Sequence, residues 1–286
     1  MTQTIQTVGI IGAGTMGAGI AQIIAQRGTS VFLYDIDDAL LSKAVNRIET
    51  FMDAGKQKGK VTDAEIDAVK QHLNVTTDLK QAAQVDLIIE AAPENLDLKK
   101  DLFHRLDGLA PANTLLTSNT SSVSITALAG ATNRPGKVAG LHFFNPAPLM
   151  PLVEVVQSIP TTDETVESLK TFAKGLDKTP VVVKDTPGFI VNRIARPFYG
   201  EALRLLGGNA ASVETIDTIV KEAGGFKMGP FELIDLIGVD VNLAVSESVY
   251  EATYHEPRYR PHPHQRRMVE AGHLGKKSGK GFYDYE

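Results

Sequence analysis

The sequence predicts an α/β protein, with a mostly parallel sheet domain covered by helices and an all-α domain after it. Three observations carry that prediction. Short apolar runs alternate with helix-patterned stretches as far as Lys184, the rhythm of strands joined by crossover helices. Beyond Lys184-Asp185-Thr186-Pro187-Gly188 the strand-like runs stop and only helical patterning continues. The length of 286 residues also suggests two domains, at roughly 150 residues each. The expected division is a sheet domain over residues 1–184 and a helical domain over 185–286.

Strands are expected at Val8–Ile11, Val31–Tyr34, Asn74–Thr77, Val85–Ala91, Thr114–Thr117, Val138–Phe143, Leu152–Val156 and Pro180–Val183. Each is short and rich in aliphatic residues, and several are bounded by Gly, Asn, Asp or Pro. Between them, apolar residues recur at helical spacing over Met16–Arg27, Asp38–Asp53, Asp63–His72, Leu96–Leu109 and Asp163–Gly175. Thr62-Asp63-Ala64-Glu65 reads as a capping box that starts one of these helices. In the second domain, helices are expected over Phe189–Leu206 and Val213–Ala223, with a single helix from Pro230 to about Thr253. Tyr254–His264, broken by prolines, reads as an irregular loop before a last short helix.

Val8–Ala25 contains no charged residue and approaches the length of a membrane span. It also holds five glycines, changes from strand-like to helix-like patterning halfway, and follows no basic stretch. It reads as strand, turn and helix, so no membrane segment is expected. The absence of cysteine excludes disulfides, thiolate zinc sites, iron–sulfur clusters and a cysteine nucleophile. That fits a reducing compartment, and the cytoplasm is the expected location. A net charge of −5 argues against nucleic acid as the main partner.

Gly12-Ala13-Gly14-Thr15-Met16-Gly17 matches G-x-G-x-x-G. The motif alone would be weak. Here it follows an apolar strand run, opens a helix, and is joined by Asp35 at the end of the next strand run. In a Rossmann-type fold the first two glycines make a tight turn and let the backbone approach a pyrophosphate at the helix N-terminus. The third lets helix and strand pack closely. An acid about 20 residues further on accepts hydrogen bonds from the adenosine ribose and repels a 2′-phosphate, so the expected cofactor is NAD.

A second group is Leu141-His142-Phe143-Phe144-Asn145-Pro146, followed twelve residues after His142 by Glu154. His142 ends a predicted strand, on the edge where open α/β sheets bind ligands. Oxidation of an alcohol needs a base for the hydroxyl proton, and histidine suits that task, with a carboxylate to orient the ring. From the spacing alone, a hydrogen-bonded structural histidine is the favoured reading.

Five segments taken together are similar to the L-3-hydroxyacyl-CoA dehydrogenase family: Gly12–Gly17, Ser118–Ser122, Gly140–Pro146, Asp185–Arg193 and Gly275–Tyr283. They span essentially the whole chain, in the family's order and spacing. The length resembles the short bacterial 3-hydroxybutyryl-CoA dehydrogenases, a group that also includes 3-hydroxyadipyl-CoA dehydrogenases.

That resemblance implies NAD-dependent interconversion of (S)-3-hydroxyacyl-CoA and 3-ketoacyl-CoA with a short acyl chain. It implies that His142 is the general base and acid, with Glu154 as its partner. Ser121 would hold the substrate oxygen at the reacting carbon, and Asn192 the acyl carbonyl side. The cofactor would be bound by Gly12, Gly14, Thr15, Met16, Gly17, Asp35, Glu94, Lys99, Asn119, Asn145 and Lys277. A homodimer through the C-terminal domain is implied as well. The unusually apolar circumference of the helices at Phe189–Leu206 and Phe231–Val249 points the same way.

Lys56, Lys58 and Lys60 form the densest basic stretch of the first domain, read as a loop between two helices. Lys56 and Lys60 are candidates for the phosphates of coenzyme A; a solvated loop is the competing reading. His255, His262, His264 and His273 lie in or near a proline-broken segment without ligand spacing, so no metal is expected. Two other readings are a non-catalytic relative of crystallin type and a different dehydrogenase on a similar plan. Absence of cysteine excludes the sugar-nucleotide oxidases, and the catalytic-lysine 3-hydroxyacid dehydrogenases lack the His-Phe-Phe-Asn-Pro element.

Overall fold

The computed structural model describes residues 3–285, in two compact units that meet in sequence between Thr186 and Pro187. The first unit runs β1 (Thr7–Ile11), α1 (Thr15–Gln26), β2 (Ser30–Tyr34), α2 (Asp38–Gln57), α3 (Asp63–His72), β3 (Leu73–Thr76), α4 (Leu79–Ala83), β4 (Leu87–Glu90), α5 (Leu96–Leu109), β5 (Leu115–Ser118), α6 (Ile125–Ala129), β6 (Val138–Phe143), β7 (Leu152–Gln157), α7 (Asp163–Gly175) and β8 (Thr179–Lys184). The eight strands form one sheet in the order β3-β2-β1-β4-β5-β6-β7-β8. Every pairing is parallel except β6 with β7, which is antiparallel. Strand order reverses between β1 and β4, the switch point where such sheets leave a crevice for a ligand.

Burial explains why the central strands read as unbroken apolar runs. All residues of β4 and β6 are buried, as expected for strands covered by helices on both faces. The core joins Val8, Ile10 and Leu87 of the sheet to Ile20 and Ile24 of α1. Each such side chain contributes about 1.5–3 kcal/mol on burial. The capping box forms as expected: the Thr62 hydroxyl accepts from the Glu65 amide, and the Glu65 carboxylate accepts from the Thr62 amide. The five-residue helices α4 and α6 are too short to leave a periodic signal. They are marked by their caps, Asp78 and Ser124.

The division falls two residues later than expected, because Asp185 belongs to the first unit. Its carboxylate accepts from the amides of Ile125 and Thr126 and from the Ser124 hydroxyl, closing the start of α6.

The second unit consists of α8 (Val191–Gly207), α9 (Val213–Glu222), α10 (Pro230–Ile237), α11 (Val239–Ala252) and α12 (Pro263–Glu270). The single helix expected from Pro230 to Thr253 is two helices. Gly238, at φ 106°, breaks it, and the Val239 amide turns to the Leu274 carbonyl. A hydrophobic pattern continuous across both helices hid this break. The C-terminal segment is tied down by buried acids. Asp235 accepts from the amides of Phe282 and Tyr283 and from the Tyr285 hydroxyl, while Asp217 accepts from the Tyr283 hydroxyl. A methyl group on Gly281 would stand 2.2 Å from Asp235, so that glycine is a packing requirement. No helix among the described residues is long and apolar enough to cross a membrane.

Candidate active site

Parallel register brings the chemistry-bearing residues to one edge of the sheet. Ile11 pairs with Tyr34 on one side and Glu90 on the other, Glu90 with Ser118, and Ser118 with Gly140. The residues that follow Ile11, Tyr34, Glu90 and Ser118, namely Gly12, Asp35, Ala91 and Asn119, therefore emerge at the carboxyl ends of neighbouring strands, and His142 lies next to last in β6.

The glycine turn has the properties of a phosphate cradle. Gly12 adopts φ 112°, and a methyl there would lie 2.6 Å from the Ala91 carbonyl oxygen. A methyl on Gly17 would lie 1.8 Å from the Gly12 carbonyl oxygen, so α1 can start this close to β1 only with glycine. Gly14 caps α1 without a side chain, and a methyl added to it would meet nothing within 4 Å. The first amides of α1, at Thr15, Met16 and Gly17, are thus left without a side-chain cap, at the positive end of the helix dipole. That arrangement fits the pyrophosphate of a dinucleotide. Asp35 accepts from the Ala13 amide at 2.7 Å and the Ile36 amide at 2.8 Å, which fastens the turn to the end of β2.

Beside the turn lies a buried ionic cluster that the sequence did not reveal. Lys99, only 1% exposed, donates to Glu90 at 2.7 Å and to the Ala92 carbonyl at 3.1 Å, and pairs with Glu94 at 3.2 Å. Glu90, wholly buried, also accepts from the Ala92 amide at 2.6 Å and the Ser118 hydroxyl at 2.5 Å. Glu94 in turn accepts from the amides of Ser121 and Ser122, both at 3.1 Å, and from the hydroxyls of Thr120 and Ser122.

The Lys99 ammonium is committed inside the unit, where it holds two carboxylates. Glu94 likewise grips the Ser118–Ser122 loop on which Ser121 sits. The one clue in the sequence was an acid ending the apolar run Leu87-Ile88-Ile89-Glu90, with a lysine nine residues later.

Burial pushes the Glu94 carboxyl up, but the Lys99 ammonium and the Thr120 and Ser122 hydroxyls outweigh it and hold it below its ordinary 4.5. A depressed folded-state value contributes stability that is complete above the unfolded value and is lost as pH falls through the folded one. The stability gap between wild type and Glu94→Gln should therefore narrow as pH drops from about 6 to about 3. Urea denaturation across that range measures it, and a gap independent of pH would contradict the role of the charge.

Antiparallel pairing of β6 with β7 sets His142 directly opposite Glu154. His142 Nδ1 lies 2.8 Å from Glu154 Oε2, with both residues buried, 5% and 1% exposed. The Phe144 ring packs against the imidazole at 4.5 Å. Asn119 joins this strand end to the loop: its Oδ1 accepts from the Phe143 amide at 2.8 Å, and its own amide donates to the Glu90 carbonyl. Asn145 is exposed just beyond β6, and Ser121 is half-buried.

In the second unit, Asn192 is half-buried in the first turn of α8. Lys277 forks onto Asp240 of α11 at 2.6 and 2.7 Å.

The basic stretch is not a free loop. Ala54–Gln57 close the last turn of α2, and Lys56 pairs with Asp63 at 2.5 Å. Lys58 and Lys60 instead line a cleft of about 430 Å³ with Arg27, Phe51, Leu149 and Lys178.

The family model described as the NAD binding domain of 3-hydroxyacyl-CoA dehydrogenase matches residues 7–186, and that of the C-terminal domain matches 188–285. The chain is 48% identical over its whole length to a 3-hydroxyadipyl-CoA dehydrogenase of Escherichia coli, of which it spans 60%. It is 44% identical to a probable 3-hydroxybutyryl-CoA dehydrogenase of Deinococcus radiodurans, over 97% of this chain and 99% of that one. The crystal structure of FadB2 from M. tuberculosis superposes with a TM-score of 0.96 at 40% identity, covering 99% of this chain and all of the other. By sequence across both units and by fold, this chain belongs to the 3-hydroxyacyl-CoA dehydrogenase family, whose N-terminal domain binds NAD.

Proposed function

We propose that the protein interconverts short-chain (S)-3-hydroxyacyl-CoA and 3-ketoacyl-CoA with NAD, His142 acting as general base and acid. The observation that carries this reading is the buried 2.8 Å contact between His142 and Glu154 at the carboxyl edge of the sheet. With Nδ1–H donated to the carboxylate, Nε2 is the atom that takes the hydroxyl proton in oxidation and returns it in reduction. Glu154 favours the imidazolium formed on the way. NAD, when bound, accepts the hydride that leaves the hydroxyl-bearing carbon. Gly12, Gly14 and the first amides of α1 hold its pyrophosphate, and Asp35 its adenosine ribose. Ser121, on the loop gripped by Glu94, binds the substrate oxygen, and Asn192 the acyl carbonyl side; Asn119 and Asn145 border the nicotinamide end.

Lys60, with Lys58, faces the phosphates of coenzyme A from the cleft. Lys56 contributes less, since Asp63 already neutralises it. Ile194, Ile219, Phe226 and Leu236 are each more than half exposed on the helical unit, which supports a homodimer through that unit. A cytoplasmic setting agrees with the absence of cysteine.

The decisive experiment supplies a panel of 3-ketoacyl-CoA thioesters, including one with a terminal carboxylate, and follows NADH consumption. A well-ordered protein that consumes NADH with none of them would refute the assignment and favour a non-catalytic role.

Cofactor choice gives a narrower test. Asp35→Ala should weaken NADH and reduce its advantage over NADPH by on the order of tenfold or more, since it removes a charge that faces a 2′-phosphate. KM for both cofactors measures this. Equal use of NADPH by wild type would remove Asp35 from the assignment.

A further inference from the structure

Among the described residues, two buried side-chain atoms lack a hydrogen-bond partner: Arg196 Nε and Asn242 Nδ2. Both are donors, and the Arg196 side chain reaches the main-chain carbonyl of Asn242. Arg196, on α8, is 5% exposed and Asn242, on α11, is 1% exposed. One terminal nitrogen of Arg196, Nη1, donates to the Asn242 carbonyl at 2.9 Å and the Ser246 hydroxyl at 3.2 Å. The other, Nη2, reaches only Asn192 Oδ1, at 3.5 Å, which is long for a hydrogen bond. The Tyr199 ring lies 4.9 Å from the guanidinium carbon.

No described carboxylate pairs with this cation. Burial pushes the guanidinium down to about 10, against the opposing influence of Tyr199, so it keeps its charge at neutral pH. A buried charge is ordinarily paired, because nothing else offsets the loss of hydration. Nε and Nη2 form the side-on edge with which arginine takes a carboxylate in two parallel hydrogen bonds. Asn242 and Ser246 hold the opposite corner, which fixes the plane of the fork. The underused edge is directed at Asn192, one helical turn earlier on the same face of α8.

We propose that the acyl group of the substrate ends in a carboxylate, which the Nε and Nη2 edge of Arg196 binds. This rests on the proposed function, because it takes Asn192 to lie on the acyl side. Arg196 is then the residue that separates a dicarboxylic acyl chain from a plain aliphatic one. A methyl terminus leaves the fork's donors unmet, and a carboxylate satisfies them.

The test compares 3-oxoadipyl-CoA with acetoacetyl-CoA in wild type, Arg196→Gln and Arg196→Lys, reading kcat/KM by NADH consumption. Wild type should prefer the dicarboxylic substrate. In Arg196→Gln the ratio of the two kcat/KM values should fall by about tenfold or more, the loss of a charge-assisted bidentate pair. Arg196→Lys should recover only part of that ratio, since an ammonium supplies a point charge without the fork. Wild type that prefers acetoacetyl-CoA would overturn the inference even if the variants fail to fold. An unchanged ratio in a folded Arg196→Gln would also overturn it, and would leave Arg196 as a tie between α8 and α11. Turnover of neither substrate by wild type would overturn the proposed activity itself, and this inference with it.

Discussion

His142→Gln is expected to cut turnover by about a thousandfold while NADH affinity stays close to wild type. The imidazole sits at the end of β6, away from the glycine turn that fits the pyrophosphate, so its loss should act on proton transfer rather than on cofactor binding. Glutamine can still hydrogen-bond Glu154, which limits collapse of the buried site. It cannot carry a proton in either direction. Glu154→Gln should slow the same step, and the double variant should be little worse than His142→Gln alone, because the two side chains work as one unit. Steady-state turnover and NADH fluorescence titration separate the two effects. Near-normal turnover in His142→Gln would remove the histidine from the mechanism.

Lys99→Met is expected to destabilise the protein by about 3–5 kcal/mol, the usual consequence of deleting one partner of a buried ion pair. Lys99 is the only cation seen to neutralise the wholly buried Glu90 among the described residues, and it also steadies Glu94. Without it, Glu90 must stay charged in an apolar setting or take up a proton, and the Ser118–Ser122 loop loses its anchor. Chemical denaturation should therefore show a large drop in midpoint, accompanied by lower turnover. If stability were unchanged and only KM for NADH rose, Lys99 would instead be a direct cofactor contact.

Much of the fold was legible because its signals are local. All eight strands lie where short aliphatic runs place them, and the signal is strongest in central strands such as β4, which are buried on both faces. The Thr62 capping box needed only four adjacent residues. By contrast, Gly238 gave no warning of its break, because glycine also occurs inside helices and the apolar pattern continues past it. Helices α4 and α6 were invisible, being shorter than the window in which helical periodicity can be counted. Family resemblance supplied roles for site residues, yet it could not separate a residue that touches the cofactor from one that holds its neighbour.

What the sequence determined by itself was the class of protein: the glycine turn and strand–helix alternation for a dinucleotide fold, and the five motifs for the family. These depend on backbone freedom and hydrophobic period within a few residues, and neither needs a partner elsewhere in the chain. Tertiary structure decided which side chains meet. Antiparallel register alone sets His142 against Glu154, and a shift of one residue would turn both to opposite faces. Only packing closes Lys99 over Glu90 and leaves Arg196 buried without an acid. The cost of an unpaired charge depends on what three dimensions place around it, and no spacing along the chain records that.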